Sequence, residues 1–353
     1  MASKNFLTQY PESGLASKII IPADDYIWVP SKSPVINYNL GGGIPMGKMV
    51  EFLGEESSGK SLLAYDFMKS AQELGGMGIL VDAEFSFEER WAKLNGLDLD
   101  KIHYLAEVAV EKIQDFLHDA ATHYRSELRH NEPIVIVVDS LAALDTELAL
   151  STAAMDAKAE MGNRAKAIYR MVRHLNPVFS KLGIIAIFVN QIRDAVGVNA
   201  MFADTETSPG GKAMRFYAAQ RIGLYTGAQI NEGTGVNRKL VGKQISFRIK
   251  KNKVARPRAP HKTNVIFDPS YGEVGFSKIA GLREVLLELE TIEKRGNAYY
   301  FDGEEIASGK DDFNLAMGEE PELLADILDA SSINTIEKTQ EKIDEEHTNL
   351  FPV

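Results

Sequence analysis

Eight residues, Gly54-Glu55-Glu56-Ser57-Ser58-Gly59-Lys60-Ser61, restrict the fold of this chain more than any other stretch. They fit the spacing G-x-x-x-x-G-K-[ST]. Its glycines let backbone N–H groups turn toward phosphate oxygens, and its lysine reaches the β- and γ-phosphates. Such a loop needs a strand to deliver it and a helix to open directly after it, because the helix N-terminus adds partial positive charge. Both flanks are legible. MVEFL (49–53) reads as a buried strand. SLLAYDFMKSAQELGG carries apolar residues at 62, 63, 67 and 71 before Gly75 stops the helix.

The alternation continues downstream. GILVDAE (78–84), IHYLAEV (102–108), PIVIVVDS (133–140) and GIIAIFVNQ (183–191) read as strands, with helices over 109–128 and 158–182. Continuous apolar strands alternating with helices predict a parallel α/β sheet covered on both faces. After 213 the runs RIGLYTG, KQISFRIKKNK and TNVIFD are shorter and predict an antiparallel extension. Residues 275–330 read as a small α+β domain, with a helix around 281–294, a hairpin at NAYYFDGEEI and a helix around 321–329. The division expected is an N-terminal arm for subunit contact (1–35), an ATPase core (36–274), the small domain (275–330) and an acidic, disordered tail (331–353). The arm contains a β-like run, Lys18–Ile21.

Charge enters here. The net charge of −11 argues against a nucleic-acid partner until its distribution is seen. Residues 311–353 hold twelve acids and two bases, so the rest of the chain is nearly neutral. Cysteine is absent, which excludes disulfides and thiolate zinc sites and suits a reducing cytoplasm. No apolar run approaches the roughly 18 residues of a membrane span. The opening MASKNFLTQY lacks the apolar core of a secretory signal. A cytoplasmic location without a membrane partner is expected.

Several residues carry candidate chemistry. Gly54, Glu55, Glu56, Ser57, Ser58, Gly59, Lys60, Ser61 and Leu62 form the candidate nucleotide loop, with the Ser61 hydroxyl as a Mg²⁺ ligand. Asp139 ends an apolar strand and suits the Mg²⁺ shell. Glu84 ends the strand GILVDAE, at the crevice edge where a water could reach it. It is preferred over Asp82 as the base that activates the attacking water. Gln191 ends another strand at the same edge, placed to touch a γ-phosphate. Two long stretches, 145–166 and 192–216, lose hydrophobic periodicity, and loops of that length are commonly functional. The second contains Arg193, Phe202, Lys212 and Arg215, a mixture that suits contact with a nucleic-acid backbone and its bases. RIKKNKVARPRAPHK (248–262) holds seven Lys/Arg and suits either a phosphate chain or a neighbouring subunit's γ-phosphate.

Taken together, these stretches resemble the RecA recombinase family, including phage members of the UvsX type. The carrying residues are LGGGIPMGKMVEFLGEESSGKS (40–61), VDAE (81–84), IVIVVDSLAAL (134–144), FVNQIR (188–193), ETSPGGKAMRFYA (206–218) and KKNKVARP (250–257). The resemblance runs from about 35 to 310. It implies an α/β fold: a RecA-type P-loop ATPase core with a mostly parallel central sheet, an antiparallel extension and a small α+β C-terminal domain. It implies ATP and Mg²⁺ as cofactors, Trp91 against adenine, Gln191 as a sensor, and Lys251 and Lys253 reaching the neighbouring subunit's phosphate. It further implies that the two loops line a DNA groove, with Arg164, Lys166, Arg173, Arg193, Met201, Phe202, Gly210, Gly211 and Lys212 as candidate contacts. The expected partners are single-stranded DNA, a homologous duplex, further copies of the chain in a helical filament, and a loader or single-strand-binding protein. A ring helicase on the same core and an ATP-gated scaffold without exchange activity are the alternatives. Removal of 331–353 is expected to strengthen duplex binding by freeing a basic groove.

Overall fold

The apolar runs become strands because each lies between two layers of helices. The computed structural model describes residues 26–151, 157–194, 206–207, 212–256 and 258–345. The chain begins with β1 (Trp28–Val29), α1 (Pro34–Leu40) and β2 (Ile44–Pro45). β3 (Met49–Gly54), α2 (Lys60–Glu73), β4 (Met77–Asp82), α3 (Glu89–Leu94) and β5 (Ile102–Leu105) follow. Next come α4 (Val110–Glu127), β6 (Ile134–Asp139), α5 (Glu147–Ser151), α6 (Ala157–Lys181) and β7 (Ile184–Gln191). The short strands β8 (Arg193–Asp194) and β9 (Glu206–Thr207) pair with each other, and α7 (Ala213–Tyr217) follows. The extension is β10 (Gln220–Glu232), β11 (Lys239–Asn252), β12 (Lys262–Ile266) and β13 (Gly275–Phe276). The C-terminal unit holds α8 (Leu282–Glu288), β14 (Glu293–Arg295), β15 (Ala298–Phe301), β16 (Glu304–Ser308), α9 (Lys310–Glu319), α10 (Pro321–Ala330) and α11 (Ile336–Glu345).

One nine-stranded sheet runs β13-β12-β11-β10-β3-β7-β6-β4-β5. Every pair from β10 to β5 is parallel, and β10 to β13 pair antiparallel. One face packs Phe52, Val137, Ile187 and Phe247 against Leu63 and Phe67 of α2. The other packs Ile136, Val138 and Phe188 against Leu117 of α4 and Met171 and Phe179 of α6. β14, β15 and β16 form a separate three-stranded sheet, and its core includes Val35 and Tyr38 of α1.

Four expectations are corrected. Residues 26–35 are not part of an arm: Ile27 and Val29 are buried in the main core, and β1 pairs with β2. Residues 1–25, including the run Lys18–Ile21, lie outside the described residues. Little of the described part of 145–166 is loop, because α5 (Glu147–Ser151) occupies its start and 157–166 belongs to the helix expected from 158. The helix expected over 281–294 stops at Glu288, and Glu293–Arg295 adds a third strand to the expected hairpin.

The fourth correction concerns 331–345, which is not a disordered tail. α11 places Thr339 and Ile343 in the protein interior. The Thr339 hydroxyl donates to the Trp28 carbonyl at 2.9 Å and Lys342 donates to the Tyr26 carbonyl at 3.0 Å. Asn131 donates to the Ile343 carbonyl at 2.9 Å. Lys338 donates to the carbonyls of Leu328, Ser331 and Ile333, at and just beyond the C-terminal end of α10. Composition hid this helix because few of its positions are apolar.

Candidate nucleotide and DNA site

β3 is buried along its whole length between β10 and β7, so it delivers Gly54 at a fixed point. A Cβ at Gly54 would lie 2.4 Å from Ser58 Oγ and 2.6 Å from the Leu224 carbonyl, so only glycine fits. Gly59 turns the chain into α2 with φ +91°, in the left-handed region. The Leu63 N–H bonds the Gly59 carbonyl at 2.9 Å, which leaves the N–H groups of Lys60, Ser61 and Leu62 as first-turn donors. Leu62 contributes by backbone alone, since its side chain belongs to the core. Glu55, Glu56 and Ser57 are exposed at the loop tip. The Lys60 ammonium donates to the Glu55 carbonyl at 2.6 Å. Burial lowers its pKa, opposed by the charges of Asp139 and Glu84.

Parallel register brings the other candidates to the same edge. Gly54 pairs with Gln191, and Asp82 with Asp139. The Ser61 hydroxyl hydrogen-bonds the Asp139 carboxylate. Burial, reinforced by the Glu84 charge, raises the Asp139 pKa from 3.8 to about 6. Two oxygens that converge beside the loop fit Mg²⁺, which keeps most of its shell as water and substrate phosphate. The two acids of VDAE are separated by their bonds. Asp82 accepts from the N–H groups of Ser86 (3.2 Å) and Phe87 (2.9 Å) and from the Tyr104 hydroxyl (3.0 Å), so it holds the turn after β4. Glu84 is exposed and accepts from the Ser140 hydroxyl.

Gln191 is tied to the loop by the last rung of the β3–β7 ladder. The Ile192 N–H donates to the Gly54 carbonyl at 3.2 Å. Asn190, beside it, donates to Glu51 at 2.9 Å, and Glu51 also pairs with Arg221. Glu51 is fully buried. The sequence reading missed this network, although an acid inside the apolar strand MVEFL was its signal. A charge so placed needs a partner, and here it has a hydrogen-bonded pair.

Trp91 is half-buried on α3. Its carbonyl accepts from Asn95 at 2.8 Å, and Asn95 approaches Gly275 of β13. Phe276, the next residue, lies against Gly59, so α3 flanks the loop.

Lys251 and Lys253 stand elsewhere. In the β10–β11 ladder Arg221 pairs with Lys251 and Ile222 with Ile249, which leaves Lys250 as an unopposed bulge. The bulge turns Lys251 off the face shared by Ile245, Phe247 and Ile249. Its ammonium donates to the Arg215 carbonyl (2.7 Å) and the Phe216 carbonyl (3.2 Å). Burial, with the positive charges of Lys253 and Arg221, lowers its pKa to about 8. Lys253 is exposed. Lys251 sits level with Glu51, roughly 10 Å back along β3 from the phosphate loop, and Lys253, whose N–H bonds the Ala219 carbonyl, sits further back still.

Of the DNA candidates, Lys166 and Arg173 are exposed on α6, two turns apart, and Arg164 is half-buried. Their helix is anchored by Ile168, Met171, Val172 and Leu175. Arg193 lies in β8 opposite Thr207, and Lys212 is exposed at the start of α7. Met201, Phe202, Gly210 and Gly211 lie outside the described residues. No helix among the described residues is long and apolar enough to cross a membrane.

A family model described as the RecA N-terminal domain matches residues 24–272. The chain is 36% identical over 284 residues to protein RecA of Chloroherpeton thalassium, covering 80% of this chain and 74% of that one. It is 31% identical over 339 residues to protein RecA of Staphylococcus carnosus, covering 92% and 88%. To protein RecA of Acholeplasma laidlawii it is 33% identical over 301 residues, or 85% of each chain. With its phosphate loop, acidic strand ends and antiparallel strands β10 to β12 all inside the matched span, this chain belongs to the RecA family.

Proposed function

We propose that this chain is an ATP-dependent DNA recombinase. It assembles into a helical filament on single-stranded DNA, pairs that strand with a homologous duplex and exchanges strands, in recombination and repair. The observation that carries the reading is the bond from Ile192 N–H to the Gly54 carbonyl. It joins the phosphate loop directly to the segment 192–216, so that the state of the nucleotide and the conformation of a DNA-contacting segment share one backbone link.

The first steps belong to the loop. The N–H groups of the first turn of α2 and the Lys60 ammonium bind the triphosphate, with Lys60 leaving the Glu55 carbonyl for phosphate oxygens. Ser61 and Asp139 would hold Mg²⁺, which would supply positive charge against the phosphates. Glu84, oriented by Ser140, accepts the proton of the attacking water. Gln191 contacts the γ-phosphate and moves when it departs. Lys251, at the level of Glu51, and Lys253, further back, lie away from their own loop and serve the phosphates of the adjacent subunit. A head-to-tail contact that does not close builds a filament. Lys166, Arg173 and Lys212 contact the DNA backbone, so binding tolerates sequence and weakens with salt.

One experiment tests the reading. Protein, ATP, Mg²⁺ and a single strand are mixed with supercoiled duplex of matching or unrelated sequence. Joint molecules formed only with matching duplex, on filaments seen by electron microscopy, are expected. Closed rings that unwind duplex without homology would replace the recombinase with a ring helicase.

A further inference from the structure

We propose that Lys243, on β11, is a positioning residue of the nucleotide site, supplied by the same subunit that owns the phosphate loop, and that it strengthens binding of ADP and ATP alike. This rests on the reading of Gly54–Ser61 as the nucleotide loop. The Lys243 ammonium donates to the Ser57 carbonyl at 2.8 Å. Ser57 has φ +56°, in the left-handed region that a residue with a side chain enters only with support from its surroundings. A planar trans peptide points its C=O and N–H to opposite sides. Holding the Ser57 carbonyl toward β11 therefore turns the Ser58 N–H the other way, back into the loop, where it meets the Glu55 carbonyl at 3.3 Å. Lys243 thus fixes the orientation of the loop-tip peptide next to the Lys60 anchor.

The backbone beneath Lys243 is paired on both sides. β11 is an interior strand, and Lys243 is paired with Gln229 of β10 on one side and Val265 of β12 on the other. In the sheet order, β10 and β11 lie on one flank of β3, while β7 and β6, which carry Gln191 and Asp139, lie on the other. The Lys243 charge therefore arrives on the flank away from the metal ligands and the proposed base. There it supports contacts common to ADP and ATP and not those formed only in the transition state. Such uniform binding moves KM and Kd together and leaves kcat alone. Lys243 is also distinct from Lys251, eight residues and roughly 26 Å further along the same strand.

The test uses the full chain with Mg²⁺, fluorescent ADP and a slowly hydrolysed fluorescent ATP analogue. Lys243→Ala should weaken both by a similar factor, about 5- to 30-fold, as expected for a partly exposed hydrogen bond from a charged donor. The KM for ATP in DNA-stimulated turnover should rise by that factor, with kcat within about twofold of the parent chain. Lys243→Arg should restore most of the affinity. Unchanged affinity for ADP in Lys243→Ala would overturn the proposal. So would a fall in kcat at unchanged KM, or weak binding that Lys243→Arg does not rescue in a variant melting early without nucleotide. Failure of the parent chain itself to bind nucleotide would instead sink the loop reading on which the proposal stands.

Discussion

Lys60, Glu84 and Asp139, close enough to feel one another's charge, are the groups to which the proposed chemistry is assigned, and each should respond differently to removal. Lys60→Ala removes the cation held on the Glu55 carbonyl, so ATP turnover should fall by about 100-fold or more. A coupled ATPase assay with single-stranded DNA reads this directly. Glu84→Gln should lower turnover by about 100-fold or more while nucleotide and DNA affinity stay within about twofold, leaving long-lived filaments. Loss of nucleotide binding in that variant would mark Glu84 as a structural acid. Asp139 shows a third behaviour because burial works against its charge. Its pKa is raised from 3.8 to about 6, so across that window the folded chain keeps a proton that the unfolded chain has released. Stability contributed by this group therefore falls as pH rises through the window. In Mg²⁺-free, nucleotide-free buffer, Asp139→Asn should be more stable than the parent at pH 7.5, by on the order of 2 kcal/mol, and indistinguishable at pH 4. Denaturant titrations at the two pH values would decide it; an equal gain at both would assign the effect to packing instead of charge.

Among the elements, α11 changes the meaning of the acidic C-terminus. Its acids Glu337, Glu341, Asp344 and Glu345 ride on a helix whose other face enters the core through Ile343. Ile343→Ala should therefore destabilise the protein by about 2 kcal/mol, near the low end for a buried aliphatic truncation because the helix lies at the surface. Thermal or urea unfolding checks this, and a free tail would show no change. Truncation at residue 331 consequently does two things: it removes negative charge, and it uncovers Ile343's site and the carbonyls of Tyr26 and Trp28. Increased duplex binding in such a truncation would no longer isolate the electrostatic effect. Charge reversal at the exposed Glu337 and Glu345 would isolate it, because the apolar face stays in place.

For the whole molecule, the separation of Lys251 and Lys253 from the phosphate loop decides how copies cooperate. In the proposed arrangement each copy offers a loop at one side and the lysine pair at another, and a complete ATP site requires two copies. Lys60→Ala keeps its lysines, and a Lys251→Ala/Lys253→Ala double variant keeps its loop. Each should be inactive alone, yet a 1:1 mixture should regain about a quarter of the parent ATPase, since one in four random neighbour contacts unites both intact halves. A mixture as inactive as its components would place the lysines in their own subunit's site or outside catalysis.

The sequence by itself determined the parallel sheet, its antiparallel extension and the strand-end positions of Asp139 and Gln191, while the strand expected to end at Glu84 stops at Asp82 and leaves Glu84 in the turn beyond it. It could do so because apolar runs bounded by polar ends record burial on both faces, a local property of each strand. It also fixed the phosphate loop, whose glycines answer to local backbone geometry. Tertiary structure alone decided what depended on pairing and register. Glu51 is legible as an odd acid in a strand, but its bonds to Asn190 and Arg221 come from residues 139 and 170 positions away. The choice between Asp82 and Glu84 turns on Tyr104 and Ser140, which only the sheet brings near. The aim of Lys251 depends on a single unopposed residue in a ladder, and Lys243 reaches Ser57 across 186 positions of sequence. The fold of α11 likewise depended on a groove made by the far end of the chain. In each case the deciding energy lies in a long-range contact, which leaves no periodic trace in the residues that make it.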